Sequence, residues 1–138
     1  LEASDFYLDL YDKGLINATF ESEIMSGRGH FVTIFSGESH EPEKVYEGLK
    51  NRVREISEQG IDEQAFISAR NGVYGGYITS FNNITSIASY LMNAHFQGED
   101  PYSVFEVLKS ITKKEVLETL KANLKVERSA LSVVSPNN

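Results

Sequence analysis

The hydrophobic periodicity of this chain changes twice, and those two changes limit what it can fold into. In residues 3 to 13, ASDFYLDLYDK, the residues Phe6, Leu10 and Tyr7 fall on one helical face, behind an N-cap at Ser4 or Asp5 and ahead of Gly14. From Asn17 the period becomes two. Phe20, Ser22 and Ile24 alternate with Glu21 and Glu23, which predicts a half-buried strand whose carboxylates face solvent. Ser26-Gly27-Arg28-Gly29 is turn chemistry, and the following HFVTIFS is rich in β-branched and aromatic residues. Together they predict an antiparallel hairpin with a four-residue loop. At Pro42 the helical period returns, with Val45, Leu49, Val53 and Ile56 forming an amphipathic stripe closed by Gly60.

Helical signals then continue. Asp62 caps a new helix, and Ile61 before it can close a hydrophobic staple with Phe66. Within ARNGVYGGYITSFNN, the residues Ala65, Ala69, Gly72 and Gly76 share one face with almost no side-chain bulk. Glycines in a helix interior cost about 1 kcal/mol each against alanine, so close approach to a neighbouring sheet or helix is expected to offset them. A nucleotide loop is the sharper alternative, but GVYGGY does not match G-x-G-x-x-G and no strand feeds it. Ile84, Ile87, Ala88, Leu91 and Met92 resume helical spacing up to Gly98, and Asp100-Pro101 opens a helix through Val104, Phe105 and Leu108. Thr112-Lys113-Lys114-Glu115 is a capping box ahead of Val116, Leu117, Leu120 and Leu124. The run ALSVV, residues 130 to 134, predicts a last buried strand.

At 138 residues, with 41% apolar and 24% charged residues, the chain predicts one ordered domain, residues 1–138. Its net charge of −7 and the scattering of its basic residues among acids argue against a nucleic-acid partner. No apolar run approaches the ~20 residues that span a bilayer, so no membrane partner is expected. The absence of cysteine excludes disulfides, thiolate catalysis and Cys-ligated metals, and fits a reducing cytosol; the expected localisation is cytoplasmic. The sequence begins at Leu1 rather than Met, as a piece of a longer protein would. Two sequons, at Asn17 and Asn83, are read as chance matches.

The chemistry on offer is sparse. His40 and Glu41 in GESHEPEKVYEGL suggest the start of H-E-x-x-H, but the second histidine position is Lys44, and an ammonium cannot ligate zinc. Pro42 places the pair at or before a helix start. His30 flanks the hairpin turn, and His95 follows Leu91 by four on an apolar stripe, where a partly buried, hydrogen-bonded imidazole is the commoner state. Gly-x-Ser-x-Gly is absent. Glu21 and Glu23 are read as a solubilising pair. No catalytic residue and no metal ligand is assigned to this chain, and no cofactor of its own.

In order and spacing, four segments resemble one family. LYDKGLINATF is similar to a helix end and strand start of the pitrilysin-type (insulinase-type) zinc peptidases; FVTIFSGESHEPEKVYEGL is similar to a strand and the helix start after it. GIDEQAFISARN and SITKKEVLETLKANL are similar to two later helices of the same family. The resemblance spans nearly all of the chain and is to the C-terminal, non-catalytic domain of such an enzyme. It implies an α+β fold, an antiparallel sheet with helices packed on one face, lacking a first β-α portion. In this family zinc is held by H-x-x-E-H and a distant glutamate in the N-terminal half, and no such motif occurs here. The zinc is therefore expected in a partner domain.

The resemblance also implies that an arginine and a tyrosine of the C-terminal half touch substrate. Their positions fall on Tyr11 and Asn17, so neither type is kept and no substrate-binding residue is carried over. The expected function is a non-catalytic domain of a zinc-dependent peptidase, closing a chamber around peptide substrates. Its expected partners are the zinc-bearing N-terminal half, or a partner subunit, and the peptide. The alternative is a catalytically inactive scaffold or heterodimer subunit of the same family. A sheet edge left open by missing strands invites pairing and admits a homodimer.

Overall fold

The computed structural model describes residues 4–27 and 29–135. The class is α+β, with α1 at Asp5–Asp12, strands β1 at Glu21–Gly27 and β2 at His30–Ser36, and then α2 at Pro42–Gln59. Further along come α3 at Glu63–Ser80, α4 at Ile84–Gln97, α5 at Ser103–Ser110 and α6 at Lys113–Asn123, followed by a short 3-10 turn at Val126–Arg128. The chain divides into two compact units, one of residues up to Gln59 together with those from Leu120 on, the other Gly60–Thr119.

In the first unit, Ser4 caps α1 by accepting from the Tyr7 backbone N–H at 3.2 Å, and the helix buries Tyr7 and Leu10. These two join Ile16, Phe20 and Val45 in a core against which Phe6, Leu15 and Leu49 pack. Val45 and Leu49 come from the predicted stripe of α2, and a Cβ at Gly48 would lie 3.8 Å from Leu10, so α1 and α2 are in van der Waals reach. The hairpin pairs Ile24 with Thr33 and Met25 with Val32, in antiparallel register. Its loop is shorter than predicted, because Ser26 and Gly27 remain paired with Phe31 and His30. Arg28, one of the four expected loop residues, lies outside the described residues.

Two sequence expectations fail in this unit for one reason. The inward face expected of β1 is uncovered: Ile24 is 64% exposed, and only Phe20, at the hairpin's base and 7% exposed, is buried, stacked against Phe35. The run at 130–134 is not a strand, and Val134 is 95% exposed. Among the described residues β1 and β2 pair only with each other, so the alternating pattern has no second layer and the last apolar run no ladder partner. Ser129, just before it, is held to α2 by a 2.8 Å hydrogen bond between its hydroxyl and that of Tyr46.

The second unit follows its local signals closely. The Asp62 carboxylate accepts from the Ala65 N–H at 2.9 Å, and the Asn83 side chain accepts from the Thr85 and Ser86 N–H groups, starting α3 and α4. Gly98 ends α4 in the left-handed region, where its missing Cβ removes the steric cost. The capping box closes both ways: the Thr112 N–H donates to Glu115 Oε2 at 2.8 Å, and the Glu115 N–H to Thr112 Oγ1 at 3.3 Å. Tyr77, Phe81, Tyr90 and Phe105 make edge-on and tilted ring contacts that join α3, α4 and α5.

The glycine-bearing stretch is helical to Ser80, as the pattern allows, but the expected close approach is absent. A Cβ built on Gly72, Gly75 or Gly76 would meet nothing within 4 Å. No described residue covers that face.

Candidate functional site

The corner between α1 and β1 is where the sequence resemblance puts substrate contacts, and it is built from few residues. The C-terminal turn of α1 carries Tyr11, whose ring stacks on Tyr7 with centroids 6.1 Å apart and planes 17° from parallel. Tyr7 is buried and donates its hydroxyl to the Asn17 carbonyl at 3.4 Å, which ties the helix to the strand approach. Asn17 is half-buried and heavily engaged. Its Oδ1 accepts from the Thr19 N–H and Oγ1 at 2.9 and 2.6 Å, an Asx-type turn, and its Nδ2 donates to Glu38 Oε2 at 2.9 Å.

Around Tyr11 and Asn17 the corner offers hydrogen-bonding groups and the Glu38 carboxylate, with the Asp9–Lys13 ion pair on the same turn of α1. Neither Tyr11 nor Asn17 bears the positive charge that a guanidinium would bring to a developing oxyanion. Asn17 spends its carbonyl on Thr19 and one amide hydrogen on Glu38, so its role in this structure is to hold the corner. Tyr11 is exposed, with its ring stacked on Tyr7. Gly37 fixes the other side, since a Cβ there would stand 2.7 Å from the Phe20 Cα.

The histidines do not converge. His30 opens β2, with its ring over Gly27; His40 precedes α2, as the proline predicts; His95 lies in the last turn of α4. Beside His40, the Glu41 carboxylate is paired with the Lys44 ammonium, so the residue that breaks the zinc motif also engages its glutamate. Contrary to expectation His95 is exposed, because the stripe it shares with Leu91 is itself uncovered; its ring contacts Phe96 edge-on at 5.9 Å. Among the described residues no group of three or more His, Cys, Asp or Glu could hold a metal ion. Among the described residues no helix is long and apolar enough to cross a membrane.

Electrostatic perturbation is slight and structural. Burial, with Tyr77, Glu99 and Asp100 nearby, raises the Tyr90 phenol above its ordinary value, and its hydroxyl donates to the Pro101 carbonyl at 2.5 Å. Hydrogen bonds from Thr112 lower the Glu115 carboxyl. A groove of about 250 Å³ at the C-terminal ends of α2 and α6 mixes Arg54, Lys121 and Lys125 with Glu58 and Glu127, and Ser57 is the one hydroxyl in its lining. Neither Tyr90 nor Glu115 lines the groove, where acid–base chemistry would need a perturbed group.

No protein-family model matches the chain. It is 23% identical over 137 residues to the uncharacterized zinc protease YmfH of Bacillus subtilis, covering 99% of this chain and 32% of that protein. Its fold matches the crystal structure of a "putative M16-like peptidase" from Alicyclobacillus acidocaldarius with a TM-score of 0.85, at 22% identity, over 90% of this chain and 30% of that one. The resemblance is to pitrilysin-type peptidases, in sequence and in fold. The chain spans about a third of the length of each pitrilysin-type relative. Sequence reading missed a different feature, visible only beside the exposures. Residues 71–98 contain no Asp, Glu, Lys or Arg, yet most of them are exposed. The charge pattern marks the stretch, and its exposure is added by the structure.

Proposed function

We propose that this chain is the C-terminal, non-catalytic domain of a zinc-dependent peptidase, closing with a zinc-bearing half around a chamber for peptide substrates. The observation that carries the reading is a likeness over 99% of the chain to a third of a zinc protease, in a sequence without H-x-x-E-H. On this reading the metal chemistry belongs to the other part of the polypeptide or to a partner subunit, and the present segment contributes wall and charge. The net charge of −7 favours basic peptides over acidic ones by long-range attraction. The uncovered hairpin and the unpaired run at 130–134 fit a sheet whose further strands lie outside these residues, an arrangement that also admits a homodimer. A cysteine-free sequence suits a reducing compartment, and we place the protein in the cytoplasm.

The test is to assay peptide hydrolysis by the 138-residue segment alone, by the longer polypeptide, and by the segment mixed with the zinc-bearing part. Hydrolysis is expected only where the zinc-bearing part is present, and zinc measured by elemental analysis is expected to follow that part. Turnover by the segment alone would remove the proposal, and zinc retained by it would revive a site at His40.

A second reading is motivated by Tyr11 and Asn17. With Tyr11 at the position expected for the arginine and Asn17 at the position expected for the tyrosine, the domain fits a catalytically inactive scaffold or heterodimer subunit of the same family. An intact H-x-x-E-H elsewhere in the same polypeptide favours the peptidase, and its absence favours the scaffold.

A further inference from the structure

The chain's longest stretch without Asp, Glu, Lys or Arg, residues 71–98, forms the second half of α3 and all of α4. In a chain with 24% charged residues an uncharged helix is ordinarily a buried one. This one is not. Ile87, Tyr90 and Ala94 of α4 turn inward, while Ile84, Ala88, Met92 and Phe96, each four positions from the last, stand exposed. The exposure is 84% at Ile84, 54% at Met92 and 74% at Phe96, and Val73 and Ile78 of α3 are exposed as well.

We propose that this stripe of α4 is a docking face, and that its occupant is a charge-poor apolar surface of the rest of the longer polypeptide. The composition is that of an interface core, depleted of charge and enriched in aromatic residues and methionine. The length of the occupant is supplied by the relatives, of which this chain spans about a third, so a polypeptide of their size carries about twice as much again to cover the face. The charge pattern disfavours the other occupant of an apolar helix. Helices that lie on membranes carry Lys and Arg on their polar face; α4 has none, and the chain's net charge of −7 opposes anionic lipid. The inference rests on the preceding functional reading only in taking the zinc-bearing part as that remainder.

These 138 residues contain no cysteine, so a thiol introduced here is the only one in the peptide that carries it. Single substitutions Ile84→Cys, Met92→Cys and Phe96→Cys are made in the longer polypeptide, with Lys114→Cys, whose parent side chain is 83% exposed, as reference. Maleimide labelling of each site is followed by mass spectrometry of the peptide that contains it. The three stripe positions are expected to react on the order of tenfold more slowly than residue 114, as protected sites do. Equal rates at all four positions overturn the proposal. Protection that appears only when lipid vesicles are added overturns it in favour of a membrane surface, and protection that grows with protein concentration overturns it in favour of a second copy. Zinc content of the same sample separates the two readings: protection without zinc removes the peptidase and keeps the docking face, whereas zinc with unprotected cysteines removes the docking face alone.

Discussion

The α1–β1 corner and the α3–α4 stretch treat their side chains in opposite ways. At the corner, Tyr7, Leu10, Ile16 and Phe20 are each 7% exposed or less, and Asn17 has partners on both ends of its amide. Along residues 71–98 the chain spends apolar residues on solvent and places three glycines where an added Cβ would meet no neighbouring element within 4 Å. A chain that can complete a core in one place and leaves an equally apolar surface bare in another has not run short of hydrophobic residues. The first region is covered by its own sequence; the second is not covered by any described residue.

The largest effect that separates the two comes from truncation. Phe20→Ala removes a buried ring packed against Tyr7 and Phe35 and is expected to cost about 3–5 kcal/mol, read by urea denaturation. Phe96→Ala removes a ring of the same size from solvent, and in the 138-residue segment is expected to change stability by no more than about 0.5 kcal/mol. In the longer polypeptide Phe96→Ala should become destabilising. A large cost for it in the segment alone would break the comparison.

Glycine substitution at the corner comes next. At Gly37 an added Cβ meets the backbone of Phe20, which cannot rotate away, so Gly37→Ala is expected to cost about 1–3 kcal/mol. A neutral Gly37→Ala, measured in the same denaturation series, would mean that the corner gives more easily than its buried residues suggest.

The capping box lies outside both regions and gives a smaller, pH-dependent effect. Thr112→Ala is expected to cost about 1 kcal/mol at neutral pH. Because Thr112 lowers the Glu115 carboxyl in the folded chain, the stabilisation from that contact is present above the ordinary carboxylate range and is lost as pH falls through the folded value. The variant's deficit should therefore shrink on the acid side, and a deficit that stays constant from neutral to acid pH would show that the carboxylate plays no part.

What the sequence made legible follows the range of each interaction. The caps at Ser4, Asp62 and the Thr112–Glu115 box depend on residues three positions apart, and all three are formed. The α2 stripe was legible because Val45 and Leu49 need only one neighbouring helix, which α1 provides. The patterns at Ile24, His95 and 130–134 predict burial or partial burial, but a pattern states which face wants cover and not what supplies it. At the candidate site the positions Tyr11 and Asn17 were legible through the family resemblance alone. The ties from Asn17 to Glu38 and Thr19 depend on how the turn folds, which spacing does not encode.

The smallest predicted effect discriminates most finely between the two regions. In the isolated segment Gly76→Ala fills empty space in a helix interior, so it should stabilise by about 0.5–1 kcal/mol through helix propensity and lower unfolded-state entropy. No described residue opposes it. If the α3–α4 surface is covered in the longer polypeptide, the same methyl group enters a packed interface, and the gain should vanish or reverse. The sign of the change, measured by thermal unfolding in both contexts, therefore reports whether the bare helix is the final state of this surface or half of a contact. A gain of equal size in both would mean that α3 stays uncovered along its glycines, and would confine any docking to α4.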